Sequence, residues 1–191
     1  MKFIRSIAVV VLGGLSGLML ASPAQAAPER EPRLPNDLTT PVTERADLTI
    51  RSAAPSEVAS AATRSGAQGW TEAQLDNIGI MAVGCWTAGY RRWAENISGG
   101  TLYQVEATIN WCSNGTRVYG GSASWSTYTN FGWSFNSWSN PPNNYYNPPS
   151  NTQFHTVGQA KFCLGACWVS ETYLGFDLWG TTAGTIQVQH L

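Results

Sequence analysis

Residues 101–121 read TLYQVEATINWCSNGTRVYGG. From Tyr103 to Trp111 every odd position is apolar: Tyr103, Val105, Ala107, Ile109, Trp111. Gln104, Glu106, Thr108 and Asn110 alternate with them. A period of two marks a strand with one buried face, and Asn114-Gly115 is the pair that a type I′ hairpin turn demands. A two-residue turn there sets Trp111 opposite Val118, Ile109 opposite Gly120 and Ala107 opposite Ser122, a packed layer of large against small. The other face then pairs Tyr119 with Asn110, Ala123 with Glu106 and Trp125 with Gln104.

That second face raises the question of use. Two aromatic rings among amides and a carboxylate form a platform for a sugar, because rings stack on the apolar side of a pyranose while polar groups bond its hydroxyls. Gln104, Glu106, Tyr119 and Trp125 are the candidates. Trp138, Tyr145 and Tyr146 extend them, since Trp138 borders and the two tyrosines lie within the proline-stiffened run SNPPNNYYNPPSN, where docking a ligand costs little entropy. The competing reading is that a second sheet simply covers these rings.

Outward from the hairpin, the chain divides by composition. Residues 27–69 carry five Arg, six acids and five Pro without one aromatic residue, too little apolar surface to offset the entropy of ordering. Residues 70–191 hold ten charges against 21 aromatics, enough for one core. The expectation is a disordered, extended tail over 27–69 and a β-sandwich domain over 70–191. Prolines oppose a helix through the first half of the tail, and SEVASAATR has helical propensity for a turn or two. Leu34, Leu38, Val42, Leu48 and Ile50 are spaced along it as points for docking on a partner; an inert linker or cleavable propeptide is the plainer alternative.

Before the tail, Lys2 and Arg5 precede an apolar stretch that ends in Ala24-Gln25-Ala26. This is the pattern of a secretory signal peptide over 1–26, and its glycine-interrupted apolar run is short for a membrane span. The expected location is extracellular. A net charge of −1 gives no footprint for nucleic acid or an anionic membrane.

Four cysteines in an exported chain argue for disulfides. Cys163-Leu-Gly-Ala-Cys167 reads as a crosslink over a three-residue hairpin loop, with Gly165 free to take positive φ, which leaves Cys85 to pair with Cys112. Strands are expected near 80–93, 102–112, 116–127, 130–138, 153–163, 167–179 and 184–190, with a helical turn in TEAQLDNIG before them and a turn around Gly180. Seven short strands at this spacing define an all-β fold, an antiparallel sandwich or small jelly roll.

Catalysis finds little support. A glycosidase needs two carboxyl groups opposed across the bond. Glu106, Glu171 and Asp177 are the acids set in firm strands, and Glu171 and Asp177 share one face of a single strand unless Gly175 bulges. A jelly-roll glycosidase would require Glu106 and Glu171 to face one groove. His155 and His190 have no nucleophile motif and no metal-ligand spacing beside them, so no metal and no cofactor is expected.

The blocks GCWTAGYRRW, NWCSNGTRVYGGSAS and FCLGACW resemble a group of small secreted actinobacterial four-cysteine β proteins, over about residues 80–190. The layout of leader, arginine-punctuated segment and disulfide-linked β domain is also similar to the adaptor subunit of actinobacterial umbrella toxin particles. That resemblance implies an N-terminal segment entering a cleft of a trypsin-like lectin subunit and a β domain holding the repeat-bearing toxin chain. The resulting expectation is a secreted, non-catalytic adaptor with protein partners. A carbohydrate- or cell-wall-binding module, taking a polysaccharide, is the alternative.

Overall fold

The computed structural model describes residues 36–64 and 84–191. The leader, Leu34 and the helical turn expected in TEAQLDNIG lie outside the described residues. Two four-stranded antiparallel sheets face each other across a shared core, as the alternation requires. In spatial order the first sheet holds β1 (Thr43–Ser52), β2 (Gly84–Glu95), β3 (Thr101–Ser113) and β4 (Val118–Thr129). The second holds β5 (Trp133–Tyr146), β6 (Gln153–Leu164), β7 (Ser170–Thr181) and β8 (Ile186–His190). Spatial order equals chain order in both, so each sheet is a meander and the fold is the sandwich rather than the jelly roll. Two helices, α1 (Asn36–Thr39) and α2 (Pro55–Arg64), complete the described elements.

The odd-numbered row of β3 is buried as its pattern dictates. Tyr103 stacks on Phe162 at 5.1 Å between ring centres, and Trp111 is fully buried with its Nε1 donating to the Thr181 carbonyl at 3.0 Å. The turn expected around Gly180 closes at Thr181–Thr185, where the Gly184 N–H donates to the Thr181 carbonyl at 3.1 Å, and Gly180 itself sits near the end of β7. A Cβ there would come within 2.7 Å of the Trp111 ring, so its glycine serves close approach of the sheets.

The hairpin register departs from the type I′ expectation in two steps. First, the Asn114 side-chain oxygen accepts the Thr116 and Arg117 backbone N–H groups, at 3.0 and 2.8 Å. Of the Asn-Gly pair only Gly115 is left-handed (φ 88°), and the loop lengthens to put Ser113 opposite Val118. Second, Gly120 and Gly121 together oppose Trp111, a β-bulge with Gly120 at φ 61°. A Cβ on Gly121 would overlap the Phe154 ring, which selects glycine. The bulge inverts the faces of everything after it. Trp125 thereby lies opposite Ala107 on the core side, stacked on Phe176 at 4.7 Å with its Nε1 donating to Thr156 Oγ1 at 2.8 Å.

β5 runs through most of the expected Asn/Pro loop. Its irregular register skips Pro141 and Pro142, which an edge strand tolerates because its outer N–H groups have no ladder to make. Both expected disulfides are formed. Cys85 and Cys112 are directly opposed on β2 and β3, with Cα atoms 4.0 Å apart. Cys163 is the penultimate residue of β6, but Cys167 lies within a five-residue loop rather than on β7: Leu164 pairs with Ser170, and Gly165, Ala166 and Cys167 all have positive φ.

The expected boundary at residue 69 is also corrected. β1 lies in the segment read as a tail and pairs with β2 along its whole length, from Thr43 opposite Glu95 to Ser52 opposite Trp86. α2 follows, with Pro55 in its first turn and Val58, Ala59 and Ala62 buried. Val58 and Ala59 pack on the Cys85–Cys112 disulfide. Packing thus stabilises a ten-residue helix that propensity alone would leave marginal.

Candidate functional site

Each sheet has an outer face, and the first sheet has a free edge. On that edge, every residue of β1 is exposed. Its even-numbered side carries Glu44, Ala46, Leu48 and Ile50 opposite Ala94, Arg92, Tyr90 and Ala88 of β2. Val42 continues the ladder by donating its N–H to the Glu95 carbonyl at 2.9 Å. Val42, Leu48 and Ile50 remain 56 %, 43 % and 45 % exposed. Leu38, in α1, is half-buried, and its carbonyl accepts from Asn96 Nδ2 at 3.1 Å. The expected aliphatic points are therefore divided: three form an uncovered row, and Leu38 is anchored.

The expected aromatic platform does not assemble. Tyr119 faces outward from the first sheet and accepts from Asn114 Nδ2 at 3.0 Å. Trp125 is turned into the sandwich, and Trp138 meets it edge-on at 5.9 Å. Tyr146 packs against the core with its hydroxyl accepting the Gly121 N–H at 2.7 Å. Tyr145 alone points out from the second sheet, stacked on His155 at 4.7 Å.

The true register builds a different row. Gln104 lies between Trp93 of β2 and Tyr128 of β4 on the outer face of the first sheet, with Glu106 between Arg91 and Ser126 one pair along. Tyr128 is 49 % exposed. The Trp93 indole is fixed by donating Nε1 to Glu95 Oε1 at 2.8 Å, and Arg45 holds the other Glu95 oxygen at 2.6 Å. Those two bonds, Trp93 first, hold the Glu95 carboxyl below the usual carboxylate range. The Arg91 guanidinium lies 4.4 Å over the Trp93 ring. Sequence reading found Gln104 and Glu106 but missed Trp93 and Tyr128; the Gly120-Gly121 pair was the signal that would have moved the register.

On the outer face of the second sheet, His155 lies between Tyr145 and Trp179. Its Nδ1 is 3.8 Å from Asp177 Oδ1, too long for a hydrogen bond, and neither ring nitrogen nor Asp177 Oδ1 has a hydrogen-bond partner. Burial raises the Asp177 carboxyl from 3.8 to about 6, against a lowering contribution from the Leu178 backbone N–H. Burial also lowers the His155 imidazole, so the neutral forms are favoured together. His190 differs, since Tyr90 Oη lies 2.6 Å from its Nε2.

Glu106 and Glu171 lie on opposite outsides of the sandwich, Glu171 paired with Lys161 at 2.7 Å. The single groove that an opposed-carboxylate glycosidase needs is not built from them. β7 keeps its phase through Gly175, so Glu171 and Asp177 do share a face. Among the described residues no group of three or more His, Cys, Asp or Glu is placed to hold a metal, and no helix is long and apolar enough to cross a membrane. No family model, curated protein or solved structure matches the chain.

Proposed function

We propose that the chain is an exported, non-catalytic binding protein whose N-terminal segment docks on a partner protein while its β domain holds a further component of a secreted assembly, such as a toxin particle. The observation that carries this reading is β1, an edge strand exposed at each of its ten positions, with Leu48 and Ile50 uncovered on it and Val42 uncovered just before it. Free edges invite pairing with foreign strands, and folded proteins usually blunt them. A long edge retained with an aliphatic row suits strand addition, where the backbone supplies affinity and alternate side chains supply specificity. The leader motif and the two disulfides support export to an oxidising compartment. In the test, proteins recovered from culture fluid with the tagged chain are compared with those held by Leu48→Glu/Ile50→Glu. The double variant loses them if β1 docks; unchanged recovery contradicts the reading.

A second reading rests on the Trp93–Gln104–Tyr128 row, whose outward rings and polar neighbours suit a flat polysaccharide. Soluble glycans then alter tryptophan fluorescence, and Trp93→Ala or Tyr128→Ala removes the response. Absence of any change across cell-wall polysaccharides contradicts it.

A further inference from the structure

The polar face of β3 is only partly open to solvent. α2 crosses above it, leaving a cleft of about 270 Å³ between helix and sheet. The floor is made of short hydroxyl and amide side chains: Thr87, Thr108, Asn110 and Ser122. The walls are charged, with Arg51 from β1 and Glu57 and Arg64 from α2.

Three features distinguish this cleft from an incidental gap. Ser122 is a lining residue of the cleft and 1 % exposed, and its Oγ, covered just beneath the surface, has no hydrogen-bond partner. A buried hydroxyl without a partner is costly, which makes a ligand polar group at that point favourable. Thr87 Oγ1 donates to Asn110 Oδ1 at 2.8 Å, so the Asn110 amide has its oxygen engaged and its NH₂ as the remaining donor. Finally, Arg51 is closed on Glu57 through two hydrogen bonds, whereas Arg64 forms no salt bridge among the described residues. Two guanidinium groups against one carboxylate leave the cleft with an excess positive charge.

We propose that this cleft binds a hydroxylated carboxylate of monosaccharide size, a uronic or aldonic acid. Its carboxylate pairs with Arg64, whose planar fork matches two carboxylate oxygens. Its hydroxyls meet Ser122, Asn110 and Thr108, which both offer and accept hydrogen bonds or, for the amide, offer them. The volume lies below the roughly 300–1,000 Å³ of pockets for drug-sized ligands, which limits the occupant to about one sugar ring. A neutral sugar would bring Arg64 no counter-charge, and a bare small anion would leave the hydroxyl floor unused. Because the walls come from β1 and α2 and the floor from β2, β3 and β4, an occupant ties the N-terminal segment to the sheet.

The test is isothermal titration of the full disulfide-bonded chain with D-glucuronate, D-galacturonate and D-gluconate, with D-glucose and inorganic phosphate as comparisons. At least one of the three acids binds saturably, about tenfold or more tighter than glucose or phosphate. Arg64→Gln, an exposed change at the helix end, weakens it by about tenfold or more, and Ser122→Ala weakens it by a smaller factor. The bound acid slows amide exchange across residues 43–64. Absence of saturable binding by all three acids overturns the proposal, as does phosphate or glucose binding equally well, or an Arg64→Gln variant with unchanged affinity.

Discussion

β3 and β1 are strands of the same sheet, each alternating aliphatic with polar residues, yet their fates are opposite. β3 lies inside the sheet with its odd row sealed beneath the second sheet, while every residue of β1 is exposed at the edge. Alternation specifies which residues share a face, and position in the sheet decides whether that face is covered. In β3 the odd face carries stability. In β1 the corresponding aliphatic row, Leu48 and Ile50, is left uncovered for another molecule.

The contrast is broken most severely at Trp111. Trp111→Ala removes a fully buried indole that touches Gly180 and bonds the Thr181 carbonyl, and should cost about 3–5 kcal/mol in denaturant unfolding. A loss below 1 kcal/mol would place the core elsewhere. Next is the Cys85–Cys112 crosslink, whose chain-entropy contribution is about 3.5 kcal/mol against about 2 kcal/mol for Cys163–Cys167. Replacing each pair with serine should reproduce that order in thermal unfolding. The first replacement should also loosen α2, seen as faster exchange at Val58 and Ala59, because both lie on that disulfide.

Asp177 gives a smaller effect with a definite sign. Its folded pKa of about 6 lies above the 3.8 of the ordinary carboxyl, so between those values the folded state holds more protons than the unfolded. Stability contributed by Asp177 is therefore complete below about pH 4 and is lost as pH rises through 6. Asp177→Asn should melt higher than the native chain at pH 7.5, and the gap should close toward pH 4. His155 works in the opposite direction, since its lowered pKa costs stability as the solution becomes acidic. The two groups are 3.8 Å apart, so the gap reports Asp177 together with its effect on His155; a gap independent of pH would contradict the assignment. The smallest effect belongs to the edge. Leu48→Glu/Ile50→Glu should change stability by less than about 1 kcal/mol, since exposed positions away from special features seldom matter more. A larger loss would mean that the row is structurally sealed.

Much of this architecture was legible in the chain. The odd positions of β3, both cysteine pairings and the all-β class follow from spacing and composition. The register did not follow, because Asn114 spent its side chain on the loop backbone and Gly120-Gly121 inserted a bulge. That single inversion moved Trp125 into the core and brought Tyr128 beside Gln104. β1 was hidden for another reason: TERADLTIRS has few strong strand formers and no ring, and becomes a strand only because β2 offers it a ladder. α2 is likewise a product of burial on a disulfide that lies distant in sequence.

Native-state amide exchange on the isolated, oxidised chain measures the difference between these two strands directly. Residues 43–52 should exchange through a local opening far less costly than global unfolding, while the Val105–Trp111 amides exchange only when the whole domain opens. Equal protection of both strands would make β1 an integral part of the core sheet and remove the basis for a docking segment.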